Sequence, residues 1–441
     1  MATDVSTYQK FIIYATEKWH HAGFQKYLQN TGWLFFGRSF VILTAFLIGI
    51  YIARYLGPGN YGLFNYVLSF VGLFGFLTSF GIDSIVSREI IKDHSKKNDL
   101  IGTGFYLKII GSLIAIITVV VVSFFTTKDP FTLGLIWILS LNFIPQAFNI
   151  IEVYFQSQAL SKKIVIAQII ATVISMALKI SLIALDRGIF WLMLVYIIET
   201  TIYALILLFF FKRLNNGIEK WRFNKNIAKS LLKDSWPLML SSIAISIYMR
   251  IDQVMIKNIL GNEQVGIYAV AAKLSETWYF IPMLICTSLS PTIINAFKVS
   301  KEFFESRMKK LYFLMFWLSF SIALITTILA YPIVRILFGI AYVDAVTTLQ
   351  IYVWAGVGVS LGITLGQYLL VNNLTKISFY CTLLGALVNI ILNIILIPKI
   401  GINGAAIATL VAYMLATFGI FFFDASRKHG ILILKSIINY K

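Results

Sequence analysis

The chain has 441 residues, 59% hydrophobic and 13% charged, with 37 Lys and Arg against 19 Asp and Glu for a net charge of +18. Soluble domains carry about 25% charged residues, whereas here apolar runs of about 18 residues or more, each able to cross about 30 Å of hydrocarbon, recur from end to end. A soluble fold is excluded, and so is a disulfide scaffold, because Cys286 and Cys381 both sit inside apolar runs.

The first element is residues 1–30. Tyr8, Phe11, Ile12, Ala15, Trp19 and Ala22 fall at helical spacing, with Lys10, Lys18 and Lys26 on other faces. This predicts an amphipathic helix lying on the membrane surface. The segment is too polar for a signal peptide, so the first span acts as an uncleaved anchor.

Six spans follow near 33–53, 61–82, 101–125, 131–155, 164–185 and 189–211. After a basic stretch at 212–235 come six more, near 236–257, 265–290, 311–335, 345–371, 377–398 and 402–423, and then a tail at 424–441. The expectation is an all-α integral membrane protein. It has about twelve spans in two six-helix lobes, 31–211 and 236–423, joined by the 212–235 linker. The tails and every second loop from 83–100 onward carry 26 Lys and Arg, and the alternate loops carry six. That asymmetry places both termini in the cytoplasm and turns the positive charge toward anionic lipid. A nucleic-acid partner is not needed to explain it.

The two halves resemble each other. IARYLGPGNYGLFNY at 52–66 aligns without gaps to IKNILGNEQVGIYAV at 256–270, matching Gly57 with Gly261 and Gly62 with Gly266. Each stretch is expected to form a tight turn between the first two spans of its lobe, with glycine supplying positive φ.

The spans are not uniformly apolar. Asn142, Gln146, Asn149, Glu152 and Gln156 fall on one arc of span four, and Gln168, Thr172, Ser175 and Lys179 on one face of span five. Span seven has Ser242, Ser246, Arg250, Gln253 and Lys257. Span two has Asn65, Ser69, Ser79 and Asp83, and span eleven has Ser378, Thr382, Asn389 and Asn393. Polar faces avoid lipid, so they line either helix contacts or a water-filled cavity. Several stripes together favour the cavity.

Nine charges lie within spans: Arg38, Lys108, Lys179, Arg250, Lys273, Glu152, Glu199, Asp252 and Glu276. At roughly 3 kcal/mol each at a helix centre, their exposure to lipid at mid-depth would total on the order of 27 kcal/mol, so most are paired, hydrated or near an interface. Lys108 and Glu152 are near span ends and read as structural. Lys273 and Glu276, spaced i, i+3, can neutralise one another. Arg38, Lys179 and Arg250 are the candidates for contact with an anionic substrate. His20, His21, His94 and His429 lie outside the spans, which argues against an intramembrane histidine metal site or proton relay, and no catalytic constellation is present.

Three stretches, YIARYLGPGNYGLFNYVLSF (51–70), RIDQVMIKNILGNEQVGIYAVAAKLSE (250–276) and IPKIGINGAAIATLVAY (397–413), resemble the polysaccharide-biosynthesis flippases, the Wzx-type members of the multidrug/oligosaccharidyl-lipid/polysaccharide exporter superfamily. The resemblance implies a non-enzymatic transporter in the cell inner membrane. It would carry a polyprenyl-diphosphate-linked oligosaccharide outward by alternating access, with polysaccharide polymerase or export machinery as associated partners. It also implies a cationic central cavity, matched by position to Arg38, Lys179 and Arg250, with Asn142, Gln146, Asn149, Gln168, Ser175, Gln253, Asn389 and Asn393 as polar lining. Asp252, Lys273, Glu276 and Glu199 are then coupling or structural charges. No cofactor is expected; coupling to the membrane potential, to protons or to sodium stays open. The alternatives are a drug or cation antiporter of the same superfamily, which needs unpaired carboxylates, and a membrane glycosyltransferase or ligase, which needs a large outer loop.

Overall fold

The computed structural model describes residues 22–214, 217–372 and 374–438. The amphipathic helix expected over residues 1–30 lies outside the described residues as far as residue 21. The first lobe contains α1 (Ala22–Leu73), α2 (Asp83–Lys92), α3 (Lys97–Thr126), α4 (Pro130–Ser140), α5 (Ile150–Ser157), α6 (Ser161–Ala184) and α7 (Ile189–Lys212). The second contains α8 (Lys225–Leu260), α9 (Asn262–Glu276), α10 (Phe280–Val299), α11 (Lys301–Leu337), α12 (Ala345–Tyr352), α13 (Ala355–Val371), α14 (Thr375–Ile400) and α15 (Ile402–Phe418), followed by a tail helix, α16 (Asp424–Ile438). No strand occurs among the described residues.

Eleven of these helical stretches are long and apolar enough to cross a membrane. The first, Gly32–Lys92, runs for 61 residues and contains both of the first two expected spans, so the twelve crossings fall on eleven stretches. It folds back at Gly57, whose φ of 67° and ψ of 170° no L-residue holds without strain. Gly261, with φ 92° and ψ 177°, does the same between α8 and α9.

Gly62 and Gly266 behave differently from expectation. Both are helical, and their role is close approach. A Cβ on Gly62 would lie 1.7 Å from the Asn262 carbonyl oxygen, and one on Gly266 would lie 2.1 Å from that of Pro58. The contacts are reciprocal: Gly62 and Gly266 are 204 residues apart, as are Pro58 and Asn262. The lobes therefore meet across an internal pseudo-twofold axis, with the repeated glycines as the seam.

Three cores organise the described residues. One joins the lobes on the face that bears the Gly57 and Gly261 turns, drawing on Ile52, Tyr66 and Phe70 of α1, Val265, Tyr268 and Ala272 of α9, and Tyr342. On the opposite face, where α16 lies, each lobe has its own core. One packs Ile82, Ile101, Phe155 and Phe211, and the other packs Met308, Tyr312, Leu361 and Ile433. The lobes are thus cemented at the turn face and diverge toward the terminal face.

Polar bonds reinforce the closed end. Tyr342 Oη donates to the Ala53 carbonyl (2.6 Å), and Arg54 bonds the exposed carbonyls of Leu337 and Ile336 at the end of α11. The expected linker is only partly a linker. Helix α8 already starts at Lys225, and Trp221 is buried against Phe105 (5.0 Å) and Phe211 (5.8 Å) of the first lobe. Arg88 of α2 pairs with Asp234 of α8 at 3.0 Å, so the base of α8 stays with the first lobe.

Candidate functional site

A cavity of about 180 Å³ lies among α1, α6, α7 and α9, lined by Thr44, Gly49, Asn65, Ser175, Lys179, Glu199 and Lys273 among others. Lys179 and Ser175 are one helical turn apart on α6 and face α7, where Glu199 accepts from both, at 3.0 Å from Lys179 Nζ and 2.5 Å from Ser175 Oγ. Lys179 Nζ also sits 4.2 Å from the centroid of Tyr196, whose π face favours a cation. The one carboxylate of the cavity is thus already neutralised.

Lys273 supplies the second ammonium. It comes from α9, in the other lobe, and its Nζ donates to the Ala45 carbonyl at 3.0 Å. The expected neutralisation by Glu276 does not occur. Glu276 accepts from Tyr352 Oη at 2.7 Å, and Lys273 has no carboxylate within 4 Å among the described residues. Lys179, Lys273 and Glu199 together leave one formal positive charge.

Arg250 and Arg38 do not line this cavity. Arg250 is exposed on α8 and lies against Gly72 of α1, with guanidinium atoms 2.7 Å from the place a Cβ would occupy. It makes no ion pair within the described residues and packs across the lobe boundary. Arg38, also exposed, precedes the lining residue Thr44 on α1 by six residues, about 9 Å toward the terminal face.

Asn389 and Asn393 correct the expectation of a polar cavity lining. Both are fully buried in the second lobe, where they serve Asp252. Asn393 Nδ2 donates to Asp252 Oδ1 (2.6 Å), while Tyr268 Oη (2.7 Å) and Thr409 Oγ1 (2.6 Å) donate to Oδ2. This ties α8, α9, α14 and α15 through one carboxylate. Gln253 also has a structural partner, accepting from Ser69 Oγ of the other lobe at 2.8 Å.

The stripe on span four is broken. Pro145 removes a backbone donor, and the helix gives way to a short turn at Phe143–Gln146 and a 3₁₀ turn at Ala147–Asn149 before α5 begins. The Leu141 carbonyl that an N–H at 145 would meet accepts from Ile144 N at 3.1 Å, and the Phe143 carbonyl accepts from Ser112 Oγ at 2.8 Å. Asn142 accepts from Thr200 of α7. Gln146, Asn149 and Gln168 are half-buried and make no side-chain hydrogen bond with the described residues. Lys108 pairs with Asp83 at 2.6 Å, and Glu152 accepts from Tyr203 at 2.9 Å, so both hold the first lobe together.

Sequence reasoning missed Gly49, Tyr268 and Thr409. Gly49 was legible in principle, since 204 residues separate it from Gln253 and 204 separate Ser69 from Lys273. Extending the alignment in both directions would have paired these polar seam positions.

With this geometry in hand, comparisons place the chain. A family described as polysaccharide biosynthesis protein matches residues 27–297, and the MatE family matches residues 237–395. The capsular polysaccharide biosynthesis protein CapF of Staphylococcus aureus is 23% identical over 406 residues, covering 90% of this chain and 98% of that protein. Among solved structures, the inward-facing conformation of a multidrug resistance MATE family transporter of the MOP superfamily superposes with a TM-score of 0.73 at 15% identity, over 90% of this chain and 96% of the other. Lipid II flippase MurJ in its inward closed conformation gives 0.69 at 17%, over 92% and 91%. The chain is a multi-pass membrane protein with the fold of these transporters.

Proposed function

The chain belongs to the polysaccharide biosynthesis protein family, and from that premise we propose that it flips a polyprenyl-diphosphate-linked oligosaccharide from the cytoplasmic to the outer leaflet by alternating access. The observation that carries this is the cationic cavity beside the seam, where Lys179 pairs with Glu199 and Lys273 adds a second ammonium without a carboxylate partner among the described residues. A diphosphate cannot enter hydrocarbon bare, because burying an unpaired anion costs tens of kcal/mol in a Born estimate. Ammonium and guanidinium donors replace its water with charge-assisted hydrogen bonds. Arg250, exposed where α8 meets Gly72 of the first lobe, offers the planar fork suited to phosphate, and Arg38 marks the entry side. The prenyl tail stays in lipid. With the termini cytoplasmic, an inside-negative potential of 100 mV favours outward movement of two negative charges by about 4.6 kcal/mol.

Asp252 is the coupling charge in this proposal. It is sealed in the second lobe and ties its own helix α8 to three others, which a lobe rearrangement would have to move together. A proton on it, or a sodium ion beside it, would change how tightly those helices are held. A cation antiporter of the same fold is disfavoured, because it needs an unpaired carboxylate facing the cavity and Glu199 is paired with Lys179.

Deletion in the native host, followed by analysis of lipid-linked glycans, tests the assignment. A flippase defect leaves a complete lipid-linked glycan on the cytoplasmic side, whereas loss of a drug pump leaves glycans unchanged and raises drug sensitivity. In the complemented strain, Arg250→Ala and Lys179→Ala should each lower export about tenfold at normal abundance, the loss of a hydrogen bond to a charged group worth about 1.5–3 kcal/mol. Arg250→Lys should keep part of the activity, and Arg250→Glu should be worse than Arg250→Ala. Unchanged export in well-expressed Ala and Glu variants at positions 38, 179 and 250 would sink the cationic-cavity mechanism.

A further inference from the structure

The positive charge of the cavity is contributed across the seam. Lys179 and Glu199 both belong to the first lobe and cancel each other. Lys273 belongs to the second lobe and reaches the cavity only through a notch in α1: its Nζ occupies a point 1.6 Å from where a Cβ on Gly49 would stand. The pseudo-symmetric position is built differently. There Ser69 and Gln253, each 204 residues from its counterpart, make a neutral hydrogen bond of 2.8 Å. The charge is therefore placed on one side of the pseudo-twofold axis only, in the lobe that already holds the Lys179–Glu199 pair.

We propose that Lys273 is a removable anion contact, seated in the first-lobe cavity while the turn face is closed and withdrawn with α9 when that face opens. This rests on the flippase assignment and adds the step by which substrate is let go. The same α1–α9 packing that seats Lys273 also closes the turn face, through Gly62 against the Asn262 carbonyl and Gly266 against that of Pro58. Parting the lobes there moves α9 off α1 and draws the ammonium out past Gly49. The cavity then keeps only Lys179 and Glu199 and falls from one net positive charge to none. A diphosphate held in the closed state loses a charge-assisted contact as the exit forms. Affinity is thus set by the same motion that sets access, which is what directional release requires.

The test uses the full chain purified in detergent, with farnesyl diphosphate and inorganic pyrophosphate as probes in a binding titration. Lys273→Gln should weaken binding of both probes about tenfold or more, as loss of a hydrogen bond to a charged group does. Gly49→Ala should do the same with every charge still present, because the new Cβ meets only the flexible tip of Lys273 and evicts it. Gly62→Leu should also weaken binding, since its side chain meets backbone at Asn262 and pries the seam apart. The decisive measurement is the double variant. If the opened seam has already withdrawn Lys273, adding Lys273→Gln to Gly62→Leu costs nothing further. Additive losses overturn withdrawal and leave Lys273 a fixed ligand. Should Gly62→Leu not fold, Gly266→Ala, aimed at the Pro58 carbonyl, takes its place in the cycle. Binding that is lost in Lys179→Gln but unchanged in Lys273→Gln and Gly49→Ala overturns this inference while sparing the flippase assignment. No binding by the unmodified chain overturns both.

Discussion

Single residues here act through partners that are distant in sequence. Asp252 shows how much can depend on one carboxylate. Replaced by Ala, it would strip the buried Tyr268 hydroxyl of its carboxylate acceptor, at about 1–3 kcal/mol before relaxation, while Thr409 keeps the Ala405 carbonyl and Asn393 keeps Asn389 Oδ1. Asp252→Ala should therefore reduce membrane abundance sharply, with Asp252→Asn milder because its amide oxygen still accepts. Equal abundance of Asp252→Ala and the unmodified chain, measured by quantitative blotting, would show the site to be slack. Gly57 is a different case: a Cβ there meets nothing within 4 Å, so any penalty comes from its φ of 67° alone. Gly57→Val and Gly57→Ala should both lose about 1–3 kcal/mol in thermal unfolding assays. A penalty that tracked side-chain size instead would mean the neighbours, not the backbone, resist it.

At the scale of elements, α16 is more than a surface tail. His429 stacks on Tyr368 at 3.4 Å, bonds Tyr312 Oη through Nε2 at 2.9 Å, and is buried in the terminal-face core of the second lobe. Trp317 Nε1 adds a bond to the Ile437 carbonyl at 3.3 Å. Burial pushes His429 from its ordinary 6.5 down to about 3. Between those values the undocked imidazole binds a proton that the docked one refuses, so docking weakens as pH falls below 6.5 and is strongest above it. At pH 5 the loss is up to about 2 kcal/mol. Hydrogen exchange over α16 should rise from pH 7.5 to pH 5 after correction for intrinsic rates, and His429→Phe should flatten that dependence. The same scale explains the failed stripe of span four. An ideal helix puts Asn142, Gln146 and Asn149 on one arc, but Pro145 breaks the ladder between them.

For the whole molecule, a shared core at one end and separate cores at the other give a body open toward the terminal face. The basic loops predict which face meets the cytoplasm, and positions in the loops make that prediction measurable. Single cysteines at Asn60, Asp129 and Asp344, in a chain lacking Cys286 and Cys381, should react with an impermeant thiol reagent from outside. Cysteines at Asn98 and Ser306 should react only after permeabilisation. The reverse pattern would invert the orientation and the direction of transport with it.

The sequence by itself determined the membrane class, the order of the spans, the repeat between the halves and which charges lie within spans. Those properties are written in runs, counts and offsets along one chain: hydropathy fixes a span, and a gapless alignment of 52–66 with 256–270 marks the seam. Only the tertiary structure decided who meets whom. The i, i+3 spacing of Lys273 and Glu276 puts them on neighbouring positions of α9, yet Lys273 turns to Ala45, 228 residues away, and Glu276 to Tyr352. Asn389 and Asn393 carry the same polar signal as a cavity wall but close on Asp252. Helical periodicity fixes the direction in which a side chain leaves its own helix. Whether that direction holds water, lipid, a carboxylate or the notch of a glycine depends on how the lobes pack, and packing is set by contacts hundreds of residues apart.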